Sequence, residues 1–517
     1  MAFLLSILDL VVLLSSIIAF QAVRDYRRRG GVPYPPGPRP LPVLGNLLHI
    51  PKEHSWLTYT QYSKKYGTSE SLFLMPSFKI YVLGDVISFR VFGQVIVVLN
   101  TIKAAKDLLE KRGEIYSDRP ETPILDMMEW QWVLPTARYG DTWRPARRLL
   151  DRGLRPGAVA SYRPMQQARA RVLMTRLLAS PYKWEDHIEL LQGELLLDMT
   201  YGYQVLDRQD RKFDMVKRLS EFGTTLVLPG ALLVNNLPFL RHIPEWLPRF
   251  SYKPLARYGH AMGWKSGTAR PSLALQNLQE IEKLSGSDRD KAEKMVSGAL
   301  ASLYSAGSDT TVSATLTFFL VCLLHPEIQK KAQEEIDAVT GRERFPSFED
   351  RPRLPFVDAI CKEVLRWMPV TPLAVPHAVT QDDVYEGLFI PKGAIVFGNT
   401  WAILRDPDEY EDPDAFKPER FLNSNGSLRD DLNLTSVFGF GKRICPGRHF
   451  VDATLFITVA SLLSVFNIKK RKEDEDGAFR YTYTGDSVIS HPNRFGCSVV
   501  PRDKIAEELI NADTLSR

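Results

Sequence analysis

The chain has 517 residues, 44% of them hydrophobic and 25% charged, with a formal net charge of +5. That balance suits a large globular enzyme and excludes a disordered chain or a small module. The weak net charge, with no basic tract interleaved with aromatic residues, sets nucleic acid aside as a partner.

Ala2 to Phe20 is apolar except for Ser6, Asp9, Ser15 and Ser16. As a helix rising 1.5 Å per residue it would be about 28 Å long, close to the bilayer core. No Lys or Arg precedes it, whereas Arg24, Arg27, Arg28 and Arg29 follow at once. Positive flanks stay in the cytosol, so residues 1–23 read as a single-pass signal anchor with the rest of the chain cytosolic. A cleaved secretory signal fits less well, because the positive n-region and an A-x-A-like site are missing. Residues 24–45 form a basic, proline-rich hinge, with Pro33-Tyr34-Pro35-Pro36-Gly37-Pro38-Arg39-Pro40 as a stiff extended spacer. Residues 46–517 show no repeat and no second linker, and read as one catalytic domain.

Helical patterns dominate that domain, and strand-like runs occur near Val86 to Leu99 and Asp486 to Val500, so the fold class is mainly α with a small β region. Asp288 to Glu335 reads as one long, largely buried central helix, locally opened at Ala306-Gly307-Ser308-Asp309-Thr310-Thr311. From these six residues alone a functional opening and a simple kink stand level. The two sequons, at Asn425 and Asn433, read as unused.

The four cysteines, Cys322, Cys361, Cys445 and Cys497, are too widely spaced for a CxxC zinc or redox motif, which suits reducing surroundings. Phe438-Gly439-Phe440-Gly441-Lys442-Arg443-Ile444-Cys445-Pro446-Gly447-Arg448 holds one of them in a glycine-rich turn just ahead of an apolar helix beginning near His449. A helix N-terminus favours a thiolate, which makes Cys445 a ligand candidate. A lone cysteine is, however, more often an inert buried residue.

The pattern Phe438-x-x-Gly441-x-Arg443-x-Cys445-x-Gly447 resembles the haem-binding loop of the cytochrome P-450 superfamily. Glu363 and Arg366 look like its ExxR pair, and Pro418-Glu419-Arg420-Phe421 like its PERF segment. Ala306 to Thr311 resembles its oxygen-activating motif, and the proline-rich stretch its hinge. The likeness spans nearly the whole chain, in the style of fungal microsomal members similar to O-methylsterigmatocystin oxidoreductases.

The resemblance implies the P-450 fold, with haem b between a long central helix and a proximal helix, Cys445 as axial ligand of the haem iron, and an N-terminal membrane anchor. It further implies that Trp143, Arg147, His377 and Arg443 hold the propionates and that Phe438 lies beside the haem. Thr310 would hydrogen-bond dioxygen or a water, and Asp309 would relay protons. Glu363, Arg366 and Arg420 would form a structural ionic lock. The implied reaction is monooxygenation of a lipophilic small molecule, a secondary metabolite or xenobiotic. No flavin or nicotinamide motif is present, so NADPH would act through a separate membrane-bound flavoprotein, NADPH-cytochrome P-450 reductase, with cytochrome b5 as a second donor. The implied location is the endoplasmic reticulum membrane. A haem-thiolate isomerase or dehydratase, or a catalytically impaired haem-binding membrane protein, are the alternatives.

Substrate contacts are expected from Met127, Met128, Trp130 and Trp132, from Ala301 to Ala306, from Leu373 to Val375, and from Val488 and Ile489. Two stretches depart from the family pattern. Thr68 to Gly84 looks like an insertion, either an additional hairpin or strand or, the better reading, a translated intron, and Trp246 to Gly267 is shorter than in family members.

Overall fold

The computed structural model describes residues 12, 16, 20, 23–66, 85–205, 207–210, 213–215, 217–218, 222–223, 232–236, 238–243, 252–253, 272–471, 480–485 and 488–515. Thr68 to Gly84 lies outside the described residues, as do most of Ala2 to Phe20 and all of Trp246 to Gly267 except Tyr252 and Lys253.

Two strands, β1 (Val86–Val91) and β2 (Gln94–Leu99), form a hairpin paired from Val86↔Leu99 to Val91↔Gln94. Its two-residue turn places Phe92 at φ 48° and Gly93 at φ 84°, the paired left-handed backbone that matches strand twist. β3 (His377–Ala378), β4 (Asp383–Tyr385), β5 (Leu388–Ile390) and β6 (Ile395–Gly398) follow much later in the chain. The resulting sheet has the order β1-β2-β6-β3, so His377 sits on an edge strand. The prolines are strapped to this β region. Ser88 donates from its backbone to Pro36 O (2.7 Å) and from Oγ to Pro35 O (2.6 Å), and Phe389 N donates to Pro33 O (2.7 Å). Gly37 permits this closeness, since a Cβ there would lie 2.0 Å from Ser88 O.

The helical body contains α1 (Ser55–Tyr66), α2 (Trp143–Leu154), α3 (Arg163–Ala179), α4 (Trp184–Tyr201), α5 (Gly286–Leu324), α6 (Pro326–Thr340), α7 (Pro355–Trp367), α8 (Arg448–Val465) and α9 (Lys504–Leu515). The expected single helix from Asp288 to Glu335 is in fact two. Pro326 has no N–H and disfavours helical backbone at His325, which adopts φ −133° and ψ 66°. Nor is α5 opened at Ala306 to Thr311, where helix runs without a break. Thr310 and Thr311 return their hydroxyls to Ala306 O (2.8 Å) and Gly307 O (2.9 Å) within the same helix, so the polar side chains are satisfied without parting the backbone. The strand expected over Asp486 to Val500 is confined, among the described residues, to β8 (Ser498–Pro501), paired with β7 (Phe466–Lys469).

α5 and α8 are long and apolar enough to cross a membrane, yet 67% and 78% of their most apolar windows are buried within the protein. They are the centre of the helical core, packed with α3, α4 and α7. Their hydrophobicity is consumed by packing against protein.

Candidate active site

The loop before α8 lies between two cores. Phe440 is buried with Val97, Leu108 and Val396 in the sheet core, whereas Phe438, two residues earlier, packs on the helical core. Glycines allow the fit. Gly441 has φ +52°, and a Cβ there would lie 2.4 Å from Leu109 O; a Cβ on Gly398 would lie 2.8 Å from the Phe440 ring. Cys445 N donates to Phe438 O (2.7 Å), and Arg448 Nη1 donates to Cys445 O (3.0 Å), which closes the turn ahead of α8. Of the four free cysteines Cys445 alone keeps part of its surface open. Burial raises its thiol pKa, opposed by the N–H groups of Gly447 and Arg448 and by the charges of Arg147 and Arg448.

Around this loop lie buried basic side chains that lack matching carboxylates. Arg443 donates from Nε to Ser117 O (2.7 Å) and from Nη2 to Ala137 O (2.8 Å), but its buried Nη1 has no partner. Burial lowers the Arg443 pKa to about 10. His377 is buried, with Nδ1 2.7 Å from Tyr116 O. Its pKa is pushed well below the usual value by burial and then by the charges of Arg119 and Arg443. Arg119 is buried too, held by Pro135 O, Val375 O and Pro376 O at 2.7–2.8 Å, and burial and Arg443 likewise depress its pKa. Arg119 was not singled out in the sequence, where Asp118-Arg119-Pro120 carries no motif. The nearby carboxylate, Asp118, is engaged by Arg138 at 2.6 Å.

Trp143 and Arg147 flank this group from α2. The Arg443 Cζ lies 4.3 Å from the Trp143 ring centre, and Arg147 Nη1 donates to Ile444 O (2.6 Å), next to the cysteine. Both residues also line a cleft of about 540 Å³ with Asp141, Arg144, Pro145 and Arg148. An orphaned guanidinium nitrogen on Arg443, beside the like charges of Arg119 and Arg147, calls for an anion. Among the described residues no group of three or more His, Cys, Asp or Glu could hold a metal ion. A lone thiolate needs a metal whose other ligands arrive with it. A macrocycle carrying two carboxylates and an iron meets both requirements, so these residues fit haem.

The expected ionic lock is formed. Arg366 donates from Nε and Nη2 to Glu363 (2.6 and 2.8 Å), and Arg420 Nε reaches the same carboxylate at 3.1 Å. The side chains of Glu363 and Arg366 are both 0% exposed. Remaining guanidinium protons go to Leu404 O and Pro413 O (both 2.9 Å) and to Ala415 O (3.2 Å). This lock fixes α7 to the segment that carries Pro418–Phe421.

A family model described as Cytochrome P450 matches residues 35–249 and 257–495. The chain belongs to the cytochrome P450 family. The break between the matched stretches falls within the region expected to be short, Trp246 to Gly267. The chain is 40% identical over 500 residues to cytochrome P450 monooxygenase 208 of Postia placenta, covering 93% of this chain and 92% of that protein. It is 36% identical to a cytochrome P450 monooxygenase of Armillaria gallica, covering 97% and 98%. To cytochrome P450 monooxygenase claR of Ampulloclitocybe clavipes the identity is 37%, with 92% and 88% covered. As a P450 the chain is a haem-thiolate monooxygenase that draws electrons from a redox partner.

On the oxygen side of the expected site, Asp309 and Thr310 sit on α5. The Thr310 hydroxyl is bonded to Ala306 O, and Asp309 Oδ1 lies 3.2 Å from His491 Nε2. The expected substrate contacts are divided. Met128 and Trp130 are core of a small cluster with Ile124, Leu125 and Val234, whereas Met127 and Trp132 only border it. Leu373 borders a cluster around β1 and β2, Ile489 is buried and Val488 half-buried.

Proposed function

We propose that this P450 inserts one oxygen atom of O2 into a lipophilic small molecule, a secondary metabolite or xenobiotic, with electrons from NADPH through a separate flavoprotein reductase and cytochrome b5 as an auxiliary donor. The observation that carries the reading is the unpartnered Arg443 Nη1 beside Trp143 and next to the Cys445 loop. It is what a haem propionate would satisfy.

In this reading Cys445 would ligate the haem iron, Phe438 would lie beside the haem, and Arg443, His377, Trp143 and Arg147, joined by Arg119, would hold the propionates. Bound there, haem supplies an iron centre for oxygen activation, with thiolate electron donation favouring O–O cleavage. The protein residues orient and supply protons. Asp309 carries a proton at its carboxylate and hands it to the Thr310 oxygen, while the hydroxyl turns its own proton away from Ala306 O and passes it on into the pocket. Apolar side chains such as Ile489 and Leu373 keep water from the substrate. Residues 1–23 anchor the chain in the endoplasmic reticulum membrane, residues 24–45 form the hinge, and residues 46–517 are the cytosolic catalytic domain.

The test is expression with such a reductase, a reduced carbon monoxide spectrum, and a screen of apolar polycyclic compounds with and without NADPH. The expected outcome is a red-shifted thiolate band and NADPH-dependent oxygenated product. Product formed without any reductant would replace this reading with isomerisation or dehydration. Protection of residues 46–517 from protease added inside microsomes, and digestion from outside, is expected for the membrane orientation.

A further inference from the structure

Asp309, Ser313 and Thr317 recur every four residues on α5 and therefore share one face. All three meet the same C-terminal stretch. His491 Nε2 lies 3.2 Å from Asp309 Oδ1, Ser313 Oγ donates to Ser490 O (2.6 Å), and Tyr483 Oη donates to Thr317 Oγ1 (3.2 Å).

The backbone around His491 is fastened independently of its imidazole. His491 N donates to Thr484 Oγ1 (2.9 Å), Thr484 N donates to His491 O (2.8 Å), and Ser490 N donates to Val370 O (2.8 Å). Ile489 is buried. Holding the stretch therefore does not require the side-chain pair. His491 is 24% exposed and Asp309 29%, and an ion pair that open to water adds little stability. Both partners nevertheless converge next to Thr310. Imidazole is the side chain that gains and loses protons in the range where enzymes work.

We propose that His491 is the positioning residue that recharges Asp309. The imidazolium turns its Nε2–H onto Asp309 Oδ1, 3.2 Å away, and passes its proton there, and the imidazole takes a replacement from water at its exposed edge. No electron moves and one proton is carried inward per transfer. His491 acts through Asp309, so the inference rests on the proton role proposed for that residue.

The experiment compares wild type with His491→Ala, His491→Gln and Asp309→Asn, each haem-loaded and supplied with reductase, NADPH and the best-converted polycycle from the screen. Measured are product per NADPH, the solvent isotope effect on turnover, and amide exchange across residues 488–492 without substrate or reductase. Glutamine retains a hydrogen-bond donor but cannot carry a proton. Expected for both His491 variants are an intact carbon monoxide band, at least a threefold fall in product per NADPH, and a larger solvent isotope effect. Adding His491→Ala to Asp309→Asn should produce no further loss. Wild-type coupling in His491→Gln overturns the proposal, as does a coupling loss matched by raised amide exchange in that variant. A wild type that forms no NADPH-dependent product overturns the monooxygenase reading instead, which separates the two failures.

Discussion

The Arg443 guanidinium lies 4.3 Å from the centre of the Trp143 ring while its buried Nη1 has no hydrogen-bond partner. Two of its nitrogens are already committed to Ser117 O and Ala137 O, so the fork is aimed by the backbone and not by a carboxylate. Arg443→Lys keeps the charge, but its single nitrogen cannot span both carbonyls and still reach the place of Nη1. One charge-assisted hydrogen bond is worth about 1.5–3 kcal/mol, or roughly ten- to a hundredfold in binding. Haem affinity should fall by that factor, measured by haem transfer to an excess of an apo-globin acceptor. An unchanged transfer rate would remove Arg443 from the haem contacts.

Arg366→Ala leaves the Glu363 carboxylate buried with only Arg420 and the Lys417 N–H (2.8 Å) facing it. Removing one member of a buried ion pair costs about 3–5 kcal/mol. The denaturation midpoint should drop accordingly, and the yield of haem-loaded protein with it. Arg351→Ala, which abandons Asp358 and the half-exposed Asp452 (45%), should cost less because water can reach Asp452.

Gly441→Ala combines a left-handed φ of +52° with a Cβ 2.4 Å from Leu109 O. The backbone strain alone is about 1–3 kcal/mol, and a carbonyl cannot rotate away as a side chain can. The variant should show a weaker reduced carbon monoxide band and a lower thermal midpoint. Gly426→Ala is the control, because its φ is +79° but nothing lies within 4 Å of the added carbon. It should leave the band intact.

Asp350 accepts from Arg344, Arg353 and Ser347, and the Arg344 hydrogen bond leads in holding its carboxyl well below the ordinary value of 3.8. A depressed folded-state pKa adds stability above the unfolded value, which is lost as pH falls through it toward the folded one. The stability gap between wild type and Asp350→Asn should therefore be level at neutral pH and narrow below about pH 4. Urea midpoints at stepped pH test this, and a gap that widens on acidification would contradict it.

The cysteine loop and the ionic lock were legible in the sequence through their resemblance to family motifs, whose residues lie close together within each motif. Glu363 and Arg366 share a helix face at any packing, and glycines at 439 and 441 mark a turn wherever it lies. Arg119 was not legible. An arginine beside an aspartate normally reads as solvated charge, and its burial depends on Pro135, Val375 and Pro376 arriving from distant parts of the chain. The opening expected at Ala306 to Thr311 failed for a related reason: propensity counts competing hydroxyls as helix breakers, but those of Thr310 and Thr311 settle on carbonyls one turn back, and packing on α4 holds the helix.

The sequence by itself carried the marks of the family, since a cysteine in a glycine turn, a carboxylate three residues from an arginine and a proline-rich stretch each lie within a short span of chain. Tertiary structure alone decided which cations lack carboxylates and which residue faces Asp309. His491 stands far beyond α5 in the chain, and only the fastening of its backbone to Thr484 and of Ser490 to Ser313 brings the imidazole within 3.2 Å of that carboxylate. Charge compensation is a property of three-dimensional neighbours, and spacing along a chain does not reveal it.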